Sequence, residues 1–190
     1  MNLKHRYTID DLLAGCKRGE RKAQELLYRA LASKMYAVCL RYATTDFEAE
    51  DMLQTGFVKV FQRIQDFKGE GSFEGWVRRI MVNTAIGIYR KKLRGLNIQS
   101  IDEGTDQPQQ LFDMERLEVE DLMRLIQKLP DGYRVVFNLY AIEGYSHKEI
   151  AELLGVSEGA SKSQLSRARS WLKQKLMILE GGNQNGTYGG

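Results

Sequence analysis

Apolar residues in this chain recur at intervals of three and four, and no stretch alternates long enough to make a convincing strand. One row runs through Ala23, Leu26, Leu27, Ala30, Leu31, Met35, Val38 and Cys39, and a second through Ala49, Met52, Leu53, Phe57, Val60, Phe61 and Ile64. Start signals stand where helices need them. Thr8 precedes Ile9-Asp10-Asp11, Asp46 opens the second row, and Ser72 follows the turn Lys68-Gly69-Glu70-Gly71 to cap a helix from Phe73. A chain patterned this way has only helix-on-helix packing available to it, so the expected fold is all-α.

Where the periodicity lapses, it divides the chain. Residues 96–113 are polar and contain Pro108, one of only two prolines; they read as a linker. Extended at about 3.3 Å per residue, the segment spans on the order of 60 Å, more than the ~34 Å of one DNA turn. From Met114 the rows resume with Leu117, Leu122, Leu125, Ile126 and Leu129, halt at Pro130-Asp131-Gly132, and continue over Val135–Ile142 to Gly144. The expected organisation is a helical domain over 1–95, a linker over 96–113, a smaller helical domain over 114–180, and a disordered Gly/Asn-rich tail over 181–190.

The length of 190 residues and the proportions of hydrophobic (43%) and charged (28%) residues suit soluble domains. No apolar run reaches the ~18–20 residues that cross a bilayer, and residues 1–11 lack the apolar core of a secretory signal; a cytoplasmic protein without membrane insertion is expected. Cys16 and Cys39 then read as buried thiols, and neither they nor His5 and His147 have the spacing of a metal site. No P-loop, nucleophile elbow or HExxH motif is present, so no cofactor and no enzymatic activity are expected.

The net charge of +3 is a cancellation. Every charged residue from Arg78 to Arg94 is basic (Arg78, Arg79, Arg90, Lys91, Lys92, Arg94), as is every one from Lys162 to Lys175 (Lys162, Arg167, Arg169, Lys173, Lys175). Between them, Asp102 to Asp121 holds eight acids and one base, Arg116. Two basic stretches parted by an acidic one point to two contacts with a polyanion.

The most informative string is Tyr145-Ser146-His147-Lys148-Glu149-Ile150-Ala151-Glu152-Leu153-Leu154-Gly155-Val156-Ser157-Glu158. Ser146 and Glu149 form an S-x-x-E capping box for a short helix whose inner face is Ile150, Ala151 and Leu154. Gly155 suits a turn at positive φ, Val156 plugs the corner, and Ser157 caps a second helix. That helix turns Leu165, Ala168 and Leu172 inward and presents Lys162, Ser163, Ser166, Arg167 and Arg169. This is a helix-turn-helix with a basic recognition helix. Ser161 breaks its pattern, standing where an apolar side chain is usual; its hydroxyl is expected to tuck back onto the preceding turn. His147 reads as an exposed residue beside the cap.

Taken with Glu48-Ala49-Glu50-Asp51-Met52-Leu53-Gln54-Thr55-Gly56-Phe57, with Phe67–Asn83, and with Leu129-Pro130, the chain resembles the extracytoplasmic-function (ECF) group of bacterial RNA polymerase sigma factors, group 4 of the sigma-70 family. The match runs from Thr8 to Leu179; Thr55, Ala160 and Ser161 depart from its usual residues. The resemblance implies a region 2 bundle and a region 4 helix-turn-helix that bring core polymerase to promoters and help melt DNA. It implies that Glu50, Asp51 and Gln54 dock on the coiled coil of the largest polymerase subunit around an apolar anchor, Met52 or Leu53. It implies −10 recognition by Arg78, Arg79, Asn83, Arg90, Lys91, Lys92 and Arg94, with Asn83 lining a pocket for a flipped base. Lys162, Ser163, Ser166 and Arg167 would face the −35 element, with Arg169 and Lys173 on phosphates. Trp76, at helical spacing with Ile80, reads as core. The implied partners are core polymerase (coiled coil and flap), promoter DNA and an anti-sigma factor. The competing reading, an autonomous helix-turn-helix repressor or activator, leaves the first domain without a task.

Overall fold

The structure is a computed structural model that describes residues 7–95 and 119–181. Among the described residues there are eight α-helices and no strand. The linker over 96–113, the first helical turns expected from Met114, and the tail beyond Gly181 lie outside the described residues. The chain forms two compact units, Met1–Gly87 and Ile88–Gly190. Their boundary falls inside a helix, eight residues before the change of composition at 95/96. No helix of the described residues is long and apolar enough to cross a membrane.

In the first unit, α1 (Ile9–Lys17) starts at a reciprocal cap: the Asp11 amide donates to Thr8 Oγ1 at 3.1 Å and the Thr8 amide to Asp11 Oδ2 at 3.0 Å. Next come α2 (Arg21–Leu40), α3 (Asp46–Gln62) and, after a single 3₁₀ turn, α4 (Phe73–Gly95), whose residues from Ile88 on belong to the second unit. Thr45 caps α3 through the Glu48 amide, and Ser72 caps α4 through the Gly75 amide at 3.0 Å. α2 packs against both α1 and α3. The expected apolar rows form the core: Leu27, Leu31, Met35, Val38 and Cys39 meet Ala49, Phe57, Val60, Val77 and Met81, all buried. Gly56 is part of that packing, because a Cβ there would lie 2.2 Å from the Met81 sulfur. Phe67, Phe73 and Trp76 cluster with ring centroids 5.1–5.7 Å apart; Phe67 and Phe73 are buried, and Trp76, expected in the core, is half-buried at its edge. Cys16 and Cys39 are buried free thiols, as expected, and burial pushes the Cys39 thiol up to about 12.

The second unit holds α5 (Val119–Gln127), α6 (Asp131–Phe137), α7 (His147–Leu154) and α8 (Glu158–Gly181). Pro130 both stops α5 and stands at the N-cap of α6, so α6 begins at Asp131, earlier than the Val135 that periodicity marks. A proline costs a helix nothing there, because the first turn has no use for its missing N–H. α6 runs on into a π-helical turn over Asn138–Ile142, closed by the Glu143 amide on the Asn138 carbonyl at 3.0 Å. Gly144, at φ +79°, ends it. Leu125, Leu129, Ala168 and Leu172 form the core where α8 crosses α5 and α6, with Tyr133, Phe137 and Trp171 packed around them.

A buried arginine holds the α5–α6 corner. Arg134 is only 3% exposed and donates to the carbonyls of Gln127 (2.9 Å) and Leu129 (2.7 Å) and to Asp131 Oδ1 (2.6 Å). It thus satisfies the last carbonyl of α5 and that of Leu129 in the turn after it, groups a helix end otherwise leaves bare. Burial penalises the Asp131 charge, but the Lys92 hydrogen bond and the Arg134 guanidinium outweigh it and hold that carboxyl below its ordinary value. Arg134→Ala strands these groups in the interior and is expected to destabilise the second unit by about 3 kcal/mol. The chain has one tryptophan in each unit, Trp76 and Trp171. Urea denaturation in a Trp76→Phe background therefore reads the second unit through Trp171, and an unmoved midpoint would refute the role of Arg134.

Candidate nucleic-acid interface

Burying one side of α4 aligns the charged residues on the other. Val77, Ile80, Met81, Thr84, Ala85 and Tyr89 turn inward, which leaves Arg79, Asn83, Gly87, Arg90, Lys91 and Arg94 exposed. Steps of three and four put these on one side of the helix. The strip carries no acid. Gly87 leaves the backbone bare at its middle, since a Cβ there would meet nothing within 4 Å. Two expected contacts differ from the rest: Arg78 is half-buried, and Lys92 is ion-paired with Asp131 at 2.5 Å. Arg79, Asn83, Arg90 and Lys91 are the expected residues that share the open strip with Arg94.

The helix-turn-helix forms as its string dictates. The Glu149 amide donates to Ser146 Oγ at 3.3 Å and the Ser146 amide to Glu149 Oε2 at 2.8 Å, closing the capping box of α7. Gly155 adopts φ +71° at the end of α7, a left-handed turn that a side chain would strain. Ser157 caps α8 through the Ala160 amide at 3.0 Å. Ile150 and Leu154 of α7 are buried together with Leu165, Ala168 and Leu172 of α8. Lys162, Ser163, Ser166, Arg167 and Arg169 are all exposed, on the side away from that core. Lys162 pairs with Glu158 at 2.8 Å, and Arg167 donates to the Tyr133 hydroxyl at 3.4 Å.

Two readings of this motif need correction. Ser161 does not turn back on its own helix: it is fully buried, and its hydroxyl lies 2.9 Å from His147 Nδ1. His147 is therefore half-buried rather than exposed, with its ring stacked on Tyr140 at 4.5 Å. The missing apolar contact between the two helices is replaced by a hydrogen bond. Ser161 stands in the inward row of α8, but its partner is fourteen residues away on another helix, so no spacing rule finds it.

On α3 the expected polar contacts are exposed and the expected anchor is not. Glu50, Asp51 and Gln54 face solvent, whereas Met52 (5% exposed) and Leu53 (7%) belong to the core. Both stand in the buried row with Ala49, Gly56 and Val60. The exposed apolar groups of this helix are Phe47 (80%) and Val58 (55%). They lie four residues before Asp51 and four after Gln54, so Phe47, Asp51, Gln54 and Val58 form one face. Their spacing marks the face in the sequence; apolar character alone selects Met52.

A family model described as sigma-70 region 2 matches residues 27–95, and one described as sigma-70, region 4 matches residues 119–172. The ECF RNA polymerase sigma factor SigE of Mycolicibacterium smegmatis is 32% identical over 157 residues, 79% of this chain and 60% of that protein. The ECF RNA polymerase sigma-E factor of Haemophilus influenzae is 28% identical over 189 residues, 93% of this chain and 100% of that protein. The chain thus spans three fifths of the first relative's length and the whole of the second's. A solved structure of the sigma factor RpoE in complex with the anti-sigma factor NepR from Bartonella quintana matches with a TM-score of 0.49 at 22% identity, covering 81% of this chain and 96% of that one.

The capping box gives α7 a pH dependence. The Ser146 amide, then its hydroxyl, holds the Glu149 carboxyl below the ordinary carboxylate range. A depressed folded value means that the cap contributes above the unfolded value, near 4.5, and that this contribution is lost as pH falls through the folded one. Hydrogen exchange at the Ser146 amide is expected to lose protection across that acidic window. In Glu149→Gln, which keeps the cap without the charge, protection should not change there. A wild-type amide whose protection is flat over the same window contradicts this.

Proposed function

Because the chain belongs to the sigma-70 family, in its extracytoplasmic-function group, we propose that it is an initiation factor that binds core bacterial RNA polymerase, directs it to promoters through −10 and −35 elements, and promotes DNA melting. The observation that carries this reading is the pair of open basic faces, one on α4 and one on α8. A single-unit repressor has no use for the first of them.

Each face has the chemistry its task needs. On α4, the cations Arg79, Arg90, Lys91 and Arg94 hold the backbone of a separated strand, while the exposed amide of Asn83 both donates to and accepts from the edge of a flipped base. Extruding a base costs a few kcal/mol, supplied by these contacts and by the polymerase rather than by hydrolysis. The protein needs no cofactor and is not an enzyme. On α8, Lys162 and Arg169 neutralise phosphates beside the major groove, and the short Ser163 and Ser166 allow close approach to base edges.

The α3 face is the polymerase contact. Glu50, Asp51 and Gln54 supply its polar groups, and Phe47 and Val58 take the anchoring role that apolar character alone would give to Met52. The site of action is the cytoplasm, and an anti-sigma factor covering these faces is the fitting regulator.

Runoff transcription with core polymerase on a genomic promoter library tests the whole reading. Protein-dependent start sites are expected; their absence would sink it. On a promoter recovered this way, Arg167→Ala is expected to weaken the −35 interaction by ~1–3 kcal/mol and to relax preference at one base. An equal loss on every −35 sequence would make Arg167 a phosphate contact instead.

A further inference from the structure

Three elements of the second unit are joined by side chains that the helix-turn-helix pattern does not call for. The path leaves α8 at buried Ser161 and reaches His147 at the start of α7 through the 2.9 Å hydrogen bond. It crosses to Tyr140 in the π-helical turn by ring stacking at 4.5 Å and 22°. It returns to α8 at Arg169, whose guanidinium carbon stands 5.6 Å from the Tyr140 ring centroid. Extra-residue turns of this kind re-aim side chains that a regular helix sends elsewhere, and Tyr140 lies in the middle of one.

We propose that Tyr140, steadied by His147 and Ser161, is a positioning residue that holds the Arg169 guanidinium at one edge of the recognition helix, where it grips a DNA phosphate. This rests on the reading of α8 as the −35 helix. At 3.6 residues per turn, Arg169 lies ~20° from Lys162 and ~40° from Lys173 around the axis. The three exposed cations therefore make one row along α8. Arg167 is ~160° away, at the opposite edge, with Ser163 and Ser166 between. A helix lodged in the major groove meets a phosphate wall on each side, and the row faces one of them.

Stacking suits the task. The Tyr140 ring attracts the guanidinium through its π face, with the guanidinium carbon 5.6 Å from the ring centroid, and leaves the N–H donors on the side away from the ring to bind a phosphate. A long side chain otherwise loses rotamer freedom when it binds. One already laid on a ring has lost that freedom beforehand.

The test uses the full chain assembled with core polymerase, on a duplex promoter recovered in the transcription selection, with affinity measured against salt. Arg169→Ala is expected to lower the slope of log K against log salt by about one phosphate contact. Its deficit relative to wild type should shrink about three- to fourfold between 50 and 200 mM salt. Tyr140→Leu should reproduce this, Tyr140→Phe should retain wild-type behaviour, and the Tyr140→Leu/Arg169→Ala pair should be no worse than Arg169→Ala alone. An unchanged slope in Arg169→Ala overturns the phosphate contact. Additive losses in the pair overturn the positioning role, as does a Tyr140→Leu variant that only melts earlier at an unchanged slope. If the wild-type holoenzyme selects no promoter at all, it is the initiation-factor reading that fails.

Discussion

A helix that buries a row of apolar side chains fixes, by the same rotation, which residues stand on its far side. Every face with a proposed role here is set by that rule. Val77, Met81 and Ala85 in the core leave Asn83 and Arg90 outside; Leu165, Ala168 and Leu172 leave Lys162, Ser166 and Arg169 outside. The core therefore does more than stabilise, since a slip of one residue in its packing would rotate a binding face by about 100°. Gly56 shows how closely that packing is defined: the Met81 sulfur occupies the space that a Cβ at 56 would take, so any side chain there would have to displace it.

The same rule explains how much of the molecule is legible in the sequence. Rows of apolar residues, capping residues and a left-handed glycine mark the helices, and charge runs mark the two basic faces, because all of these are local in the chain. Met52 shows the limit of reading by residue type. Its apolar side chain among Glu50, Asp51 and Gln54 suggests an anchor, yet its angular position belongs to the buried row, while Phe47 holds the open one. Arg134 shows a different limit. No local pattern in the chain marks it; only the fold brings the carbonyls of Gln127 and Leu129 and the Asp131 carboxylate together on it.

The Ser161–His147 pair is the least legible feature, and it shows why a motif can lose an apolar contact without losing its geometry. Two apolar side chains that meet across helices hold them together but tolerate sliding, because dispersion is weak per atom pair and has no direction. A buried hydrogen bond weakens steeply once its angle closes, and a group left without its bond in the interior costs on the order of 1–3 kcal/mol. Rotating α8 by even one residue would break the bond to Ser161 and lift Arg169 off Tyr140 together, since both leave the same helix. Serine in that row therefore exchanges some of the burial a branched side chain would contribute for a fixed angle between α7 and α8. For a helix proposed to enter a groove of fixed width, that angle is the property on which recognition would turn.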